Sequence, residues 1–168
     1  MNSYRRYFKI WPILFLLLIT LSGCGNSVRR AERAIGNLVR QIERGNLSEI
    51  TLIIYGAPTV LTPFPVSVDE LINGFYLYRI VVDGVQLEEY IDLLMNLVDV
   101  ELIPVVERSR IDARLYYVFE DRNGHRIFDF AMWGTGDSFS VFVNGVEVED
   151  NPILLEIIMP FLPGYPGQ

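Results

Sequence analysis

Cysteine and histidine are both scarce in this sequence. Its 168 residues contain one cysteine, Cys24, and one histidine, His125. A lone cysteine excludes an intramolecular disulfide and a Cys-x-x-Cys redox pair. With one histidine, a set of nucleophile, base and orienting residue would have to come mainly from serines and carboxylates. Stability must therefore come from packing, and we expect no metal site and no cofactor.

Several catalytic motifs are also missing. The sequence has no Gly-x-Ser-x-Gly, no Gly-rich phosphate loop and no His-Glu-x-x-His. Acidic residues are plentiful near predicted turns, so two carboxylates at a suitable separation are one alternative for glycoside hydrolysis. Negative hairpin ends that keep the protein soluble are the simpler interpretation. We therefore expect a protein that is not an enzyme, with a carboxylate-dependent cell-envelope hydrolase as the alternative.

The first 23 residues have the pattern of an export signal. Residues 1–9 contain Arg5, Arg6 and Lys9 without an acidic residue, and residues 10–21 are almost wholly apolar. This apolar run is too short to cross a hydrocarbon core of about 30 Å as a helix that rises about 1.5 Å per residue. We interpret residues 1–23 as a signal peptide rather than a permanent membrane span.

The signal ends in the four residues Leu21-Ser22-Gly23-Cys24. They resemble the lipobox of bacterial lipoproteins, in which an apolar residue and two small residues precede the cysteine that receives a diacylglycerol thioether. The resemblance implies cleavage after Gly23, lipid attachment at Cys24 and a location on the extracytoplasmic face of the cell membrane. The alternatives are an ordinary buried thiol and a signal peptide that is cut elsewhere.

Charge is distributed unevenly over the remaining chain. Without residues 1–23, eleven arginines stand against 21 acidic residues, a net charge of −10, which argues against nucleic acid as a partner. Residues 25–46 carry a net charge of +3, so residues 47–168 carry −13. One hypothesis is that the basic segment lies beside anionic lipid headgroups and supplements the anchor. The alternative is a solvated helix face.

Residues 24–66 begin with a helical pattern and continue with an extended one. Ser27 is placed to cap an amphipathic helix, and Gly45-Asn46 closes it. Residues 49–55 are apolar and β-branched and predict a strand that is buried on both faces. Residues 57–66 contain three prolines and predict a loop. The apolar stripe of the helix consists of Val28, Ala31, Ile35, Leu38 and Ile42.

The middle of the sequence predicts two capped helices and two strands. Ser67-Val68-Asp69-Glu70 has the form of a capping box and opens a single turn before a strand over residues 75–82. Asp83 with Gln86 starts a helix over residues 85–97. Residues 100–107 predict a further strand, which Pro104 places at a sheet edge. The inward stripe of the helix is predicted as Leu87, Ile91, Leu94 and Val98.

The C-terminal half predicts an antiparallel meander. Strands over residues 111–120, 126–133, 138–143 and 146–149 are separated by three tight turns, two of which contain Asn-Gly. Asn151-Pro152 then starts a short apolar helix that ends near Met159. The two predicted faces of the meander are both apolar, with one face formed by Phe128, Phe130, Met132, Phe139, Val141 and Val143 and the other by Tyr116, Val118, Ile127, Ala131, Trp133 and Phe142.

The second of these faces leaves two interpretations open. In the first, the N-terminal helix and the loop over residues 57–66 cover it. In the second, Tyr116, Trp133 and Phe142 form an exposed surface for a partner protein or an apolar ligand, because large exposed apolar patches mark interaction sites.

The order of elements over residues 75–160 resembles small uncharacterised lipoproteins of Gram-positive bacteria. It implies an α+β fold, a single domain in which two or three helices pack on an antiparallel meander sheet. The expected organisation is a signal peptide at 1–23, an anchor and amphipathic helix at 24–46, the α+β domain at 47–160 and a flexible tail at 161–168. The function expected is a lipid-anchored, non-enzymatic binding or accessory protein of the cell envelope. A structural anchor that oligomerises is a further alternative.

Overall fold

A six-stranded antiparallel sheet forms the centre of the structure, a computed structural model that describes residues 11–58, 64–106, 109–135 and 138–164. The strand order is β2-β1-β3-β4-β5-β6, and every neighbouring pair is antiparallel. The fold is therefore α+β, with a single open sheet whose last four strands form the expected meander. The strands are β1 (Ile50–Gly56), β2 (Tyr78–Val82), β3 (Leu115–Asp121), β4 (Arg126–Thr135), β5 (Ser138–Val143) and β6 (Val146–Val148).

Five α-helices are present in the described part of the chain. They are α1 (Trp11–Glu43), α2 (Val68–Ile72), α3 (Gly84–Glu88), α4 (Ile91–Met95) and α5 (Pro152–Glu156). Single 3₁₀ turns lie at Leu47–Glu49, Asn96–Asp99 and Met159–Phe161. No helix in the described ranges combines the length and the hydrophobicity that are needed to cross a membrane.

The long N-terminal helix α1 supplies the expected apolar stripe. All five predicted stripe residues are buried, and the helix packs mainly across β4. At its C-terminal end, Gly45 has φ +72°, the Gly45 N–H donates to Ile42 O and the Asn46 N–H donates to Gln41 O. This is the Schellman arrangement that Gly45-Asn46 predicted. The predicted cap at Ser27 is wrong, since Ser27 lies inside α1 and not at its start.

The two predicted capping boxes are both present. The Ser67 hydroxyl accepts from the Glu70 N–H and the Ser67 N–H donates to the Glu70 carboxylate, while Asp83 and Gln86 exchange the same pair of hydrogen bonds. Each box leaves fewer unpaired N–H groups in the first turn of its helix. The contacts with Ser67 also hold the pKa of the Glu70 carboxyl below its usual value.

The helix predicted over residues 85–97 is broken in the structure. α3 ends at Glu88 and α4 begins at Ile91, and the Tyr90 backbone between them is not helical, with φ −117° and ψ 22°. The break turns the Tyr90 ring onto Phe161, with ring centroids 4.7 Å apart. Leu87 and Leu94 point inward as predicted, but Ile91 is partly exposed and Leu97 is buried instead of Val98.

The segment over residues 100–106 is not a strand, which corrects the prediction for residues 100–107. A single bridge joins Pro104 to Val148, flanked by hydrogen bonds from the Val105 N–H to Glu147 O and from the Glu149 N–H to Ile103 O. At this bridge the nitrogen of Pro104 points away from β6, so the missing N–H removes no hydrogen bond to the sheet, and proline is tolerated at such an outer edge. The segment, which we call the strap, does run along a sheet edge, as predicted. Residue 107 lies outside the described residues.

The meander confirms most of the predicted turns. Asn144 and Gly145 have φ values of 48° and 74°, the two positive angles of a type I′ hairpin turn. In the first turn only Gly124 has a positive φ, and the register shifts between Phe119 and Glu120. β3 begins at Leu115, later than predicted, so residues 111–114 lie before the strand. Residues 136 and 137, in the turn between β4 and β5, lie outside the described residues.

Two hydrophobic clusters lie on opposite faces of the sheet. On the first face, α1, α3, α4 and α5 cover the buried rings of Tyr117, Phe119, Phe128 and Phe130. On the second face, α2 contributes Leu71 to a smaller cluster. Phe161 is buried in the first cluster, so the predicted flexible tail begins with a core residue, and residues 165–168 lie outside the described residues. The smaller cluster contains Ile53, Ala57, Val66, Leu71, Ala113, Tyr116, Val118, Ala131 and Phe142.

Candidate functional site

The second face of the sheet is covered over its centre. Tyr116 is 7% exposed and Phe142 is 5% exposed, so these two side chains do not form the open partner surface that was one of the two interpretations. The cover consists of α2, the ends of the loop at Ala57 and Val66, and the residues just before β3. The expectation that α1 covers this face is also wrong, since α1 packs on the first face.

Trp133 lies at the margin of this face and is half-buried. The guanidinium of Arg114 stacks over the Trp133 ring at 5.1 Å from its centroid and over the Phe75 ring at 5.9 Å. Asp112 pairs with Arg114, with Nε and Oδ1 3.0 Å apart. A planar guanidinium between two rings, held by a carboxylate, is a rigid arrangement that closes this side of the face.

Two predicted directions of side chains differ in the structure. Phe139, expected to point into the core, is about half exposed near the start of β5. Ile127, expected on the second face, packs against the first cluster near the start of β4. Both residues lie at strand ends, where alternation along a strand fixes the side-chain direction least firmly.

The two edges of the sheet differ in how they are covered. At the β6 edge the strap supplies backbone hydrogen bonds to Glu147 and Glu149, and Leu102 of the strap is buried in the first cluster. The Glu147 carboxylate accepts a hydrogen bond from the Ser109 N–H, with N and Oε2 2.6 Å apart. The strap therefore closes the β6 edge, and Ser109, farther along the chain, contacts the same strand.

The β2 edge has no such cover in the described part of the chain. β2 pairs with β1 on its inner side, and no described residue pairs with its outer side. The strand has the sequence Tyr-Arg-Ile-Val-Val, without proline and with one charge. Val81 is 47% exposed, and Leu77, just before the strand, is 71% exposed. An open edge with these side chains is a template for a further strand.

A groove of about 310 Å³ lies beside this edge. One wall is formed by Ile80, Val81 and Val82 of β2, and the other by Gln86, Glu89, Tyr90 and the residues around Phe161. The groove joins apolar side chains to one carboxylate, since Glu89 is exposed at its rim. It is therefore suited to the side chains of an extended peptide that lies along β2.

The inner side of β2 is firmly held. The Tyr78 ring lies over Gly56 of β1, where a Cβ atom would come within 2.0 Å of the ring. Arg79 donates from Nε to the Tyr55 hydroxyl at 3.2 Å, and its guanidinium lies 5.6 Å from the centroid of the Tyr55 ring. This hydrogen bond raises the pKa of Arg79. The open edge is thus a fixed surface rather than a frayed strand.

In the described part of the chain, the cavities at Glu147, Asp121, Glu89 and Glu32 each have a single carboxylate among their lining residues. Glu147 lines a cavity of about 230 Å³ and is its only carboxylate among the described lining residues. Asp129 is buried, where its carboxylate contacts Arg126 and the Tyr116 hydroxyl. Burial and the charge of Asp129 raise the pKa of the Tyr116 phenol. Asp137 lies outside the described residues.

His125 and Asp121 form an exposed contact at the first hairpin turn. The Nδ1 atom of His125 is 3.2 Å from Asp121 Oδ2, and the backbone N–H groups of His125 and Asn123 donate to Asp121 Oδ1. These hydrogen bonds lower the pKa of the Asp121 carboxyl. Within the described residues, no group of three or more His, Cys, Asp and Glu side chains is arranged to hold a metal ion.

A row of arginines marks the exposed side of α1. Arg29, Arg30, Arg33, Arg40 and Arg44 are all exposed, and none of them forms an ion pair with a described carboxylate. Two of them contact their own helix, Arg33 at the Arg29 carbonyl and Arg40 at the Asn37 side chain. We call these five residues the arginine stripe. The sequence revealed the charges, and the structure adds that they share one outward side.

The predicted lipid site lies near the middle of the same helix, on the N-terminal side of the arginine stripe. Gly23 and Cys24 fall within α1, and their side chains lie outside those that the structure describes. No protein-family model matches this sequence, and neither a curated protein nor a solved structure matches it significantly. The proposed function therefore rests on the sequence and structure of this chain alone.

Sequence reasoning missed the β2 edge as a candidate site. The strand itself was predicted, but a run such as Tyr78–Val82 is compatible with a central strand as well as an edge strand. The signal that was available is the single arginine, Arg79, inside an otherwise apolar strand, because charges are common on edges.

Proposed function

We propose that this protein is a lipid-anchored, non-enzymatic protein of the extracytoplasmic cell surface that binds an extended segment of a partner protein along β2. The open β2 edge is the observation that carries the binding part of this proposal. The tetrapeptide Leu21-Ser22-Gly23-Cys24 carries the anchor. Neither part requires a cofactor or a metal ion.

Strand addition fits this edge for a physical reason. Backbone N–H and C=O groups on the outer side of β2 have no strand partner among the described residues, and a ladder formed there supplies affinity for any extended chain. Exposed Leu77 and Val81 add apolar contact, and the adjoining groove offers space for alternate side chains of the added strand. Because Glu89 lies at the groove, we expect an apolar segment that carries a basic residue.

A partner protein fits this edge better than a second copy of the chain. Residues 47–168 carry a net charge of −13, so two copies joined edge to edge would bring two strongly acidic domains together. Like charges at close range oppose association, whereas a partner segment with a basic residue is attracted. Self-pairing is therefore an outcome that would count against the proposal.

The anchor can be tested by intact-mass analysis of the protein purified from membranes of its host. We expect a chain that begins at Cys24 and carries the additional mass of a diacylglycerol group. Cys24→Ser should abolish that mass, while Ser22→Ala, which keeps a small residue, should preserve it. An unmodified chain that still begins at Met1 would contradict the anchor.

The edge can be tested in the same host with a photo-crosslinking amino acid at Val81. The matched control position is Val98, which is 62% exposed and lies in the turn at Asn96–Asp99, away from β2. We expect a discrete adduct with one other polypeptide from position 81 and none from position 98. Leu77→Lys should remove the adduct, because a charge beside an edge strand opposes pairing.

Two results would contradict the edge proposal. One is an adduct whose mass equals two copies of this chain, since that shows self-pairing. The other is equal crosslinking from positions 81 and 98, which would show that the partner does not bind preferentially at β2. Mapping the crosslinked peptide of the partner gives a further check, because the attached segment should be apolar and extended.

A further inference from the structure

The arginine stripe is narrow and straight. At 3.6 residues per turn, the five arginines fall within about 100° of the helix circumference, and they extend over about 22 Å of its length. Glu32 and Glu43 are the only acidic residues of this part of α1, and neither forms an ion pair with the stripe. Arg40 and Arg44 also line a groove with Asp121 of the first hairpin turn, without an ion pair to it, and all five arginines remain exposed.

The opposite side of α1 is committed to the core. Its apolar residues pack on the first face of the sheet, so α1 cannot roll to present another side without unpacking the domain. The direction of the stripe is thus fixed relative to the sheet. The buried residues of α1 are Val28, Ala31, Ala34, Ile35, Leu38, Val39 and Ile42.

The neighbouring helices on the same face carry the opposite charge. The region of α3, α4 and the turn at Asn96–Asp99 contains four exposed acidic residues and no basic one. The helical layer is therefore basic along α1 and acidic beside it. These acidic residues are Glu88, Glu89, Asp92 and Asp99.

We propose that the arginine stripe lies against the anionic phospholipid headgroups of the membrane that holds Cys24, and that it sets the orientation of the domain there. This inference rests on the proposed lipid anchor. Cys24 precedes Arg29 by five residues, about 7.5 Å along the helix, so an acyl anchor at Cys24 holds the near end of the stripe close to the headgroups. The far end, about 30 Å from Cys24 along the helix, meets them when α1 lies along the membrane surface. The anionic headgroups repel the acidic side chains of the α3 and α4 region, so that side of the domain tilts away from the membrane.

The electrostatic attraction between the arginine stripe and anionic headgroups is strong enough to favour one orientation of the domain. Each arginine near an anionic surface contributes about a fivefold preference for the contact, and the effect falls off over a Debye length of about 10 Å at 0.1 M salt. Several arginines acting together therefore select one orientation over a freely tumbling one. At about 1 M salt the Debye length is about 3 Å, and the preference is largely lost.

The orientation leaves the β2 edge accessible. α1 packs mainly on β4, and β4 is three strands from β2, about 14 Å at the usual spacing between strands. The β2 edge borders α3, which belongs to the acidic side that tilts away. A partner segment would thus meet β2 from solution while the lipid and the stripe hold the other side of the domain.

The test uses the lipidated chain in vesicles, with a fluorophore on one introduced cysteine. Since the only natural cysteine carries the lipid in this proposal, Asn37→Cys on α1 and Asn96→Cys at the end of α4 each create a unique site, and both positions are exposed. The vesicles contain a headgroup quencher and either phosphatidylcholine alone or phosphatidylcholine with phosphatidylglycerol. Lipidation is verified by mass before reconstitution, so failure of the anchor is seen at that stage.

We expect several-fold stronger quenching at position 37 than at position 96 in the anionic vesicles, and similar quenching at both positions in the neutral vesicles. Arg33→Gln with Arg40→Gln should reduce the difference. The matched pair Arg110→Gln with Arg122→Gln should leave it unchanged, because those exposed arginines lie outside the stripe. Equal quenching at the two positions in anionic vesicles, or a difference that persists without anionic lipid, would overturn the inference.

Discussion

The two edges of the sheet differ in how far the outer backbone groups of the edge strand are covered. At β6 the strap adds backbone hydrogen bonds, places Pro104 beside the strand and buries Leu102 in the core. At β2 the described residues leave the outer side open, with Leu77 and Val81 exposed. Proteins normally blunt such edges with proline, charge or a covering segment. In the proposed function, this open apolar edge is the surface that the partner segment covers.

The largest effect is expected when the cover of the β6 edge is loosened. Leu102→Ala removes a buried side chain that fastens the strap and should lower the free energy of unfolding by about 2–5 kcal/mol. Its neighbour Ile103 is 48% exposed, so Ile103→Ala should change stability by less than about 1 kcal/mol. Urea denaturation of the two variants measures the difference. Similar losses for both would show that Leu102 is not what holds the strap.

A smaller effect is expected at the closely packed end of β2. A Cβ atom at Gly84 would come within 2.0 Å of the Leu47 carbonyl oxygen, a backbone atom that cannot easily move. Gly84→Ala should therefore destabilise by about 1–3 kcal/mol. Gly36→Ala is the control, because its Cβ meets only Arg40 Nη1 at 3.5 Å and alanine in a helix should stabilise by about 0.5–1 kcal/mol. Thermal unfolding should give opposite signs, and equal signs would contradict this packing.

The smallest effect on stability is expected at the open edge itself. Val81→Lys places a charge on a side chain that is already half exposed, so the free energy of unfolding should change by less than about 0.5 kcal/mol. Val85→Lys on α3, also at an exposed valine, is the control for added charge. Both variants should unfold like the original chain, and only Val81→Lys should weaken crosslinking to a partner. A loss of stability as large as that of a core substitution would mean that β2 is covered.

Much of the fold could be predicted because local signals coincide with it. Alternating strands between Asn-Gly turns specify the meander, and the Ser67 and Asp83 boxes specify two helix starts. These features depend on residues within a few positions of each other. They are therefore visible in the sequence before any tertiary contact is known.

The errors arose where distant contacts decide the structure. Nothing local ends α3 at Glu88, since the break contains neither glycine nor proline, and it is the packing of Tyr90 on Phe161 that accompanies it. The strap has strand-like residues but only one bridge to β6, and its Leu102 is buried in the core, which no local pattern indicates.

The candidate surfaces were predictable to different degrees. The charges of the arginine stripe are local and were seen, whereas the covered state of Tyr116 and Phe142 depends on α2 and on residues 111–113. The open state of β2 depends on the order of all six strands. The residue pattern within one strand does not reveal on which side that strand lacks a neighbouring strand.

The continuity of helix α1 determines how a force on the proposed anchor would reach the rest of the domain. The position proposed for the acyl group and the seven residues that pack on the first face belong to the same continuous helix. A pull on the anchor would run along the helix axis and act on all of these contacts at once, in shear. The sheet would then bear tension as a unit instead of being peeled apart one strand at a time.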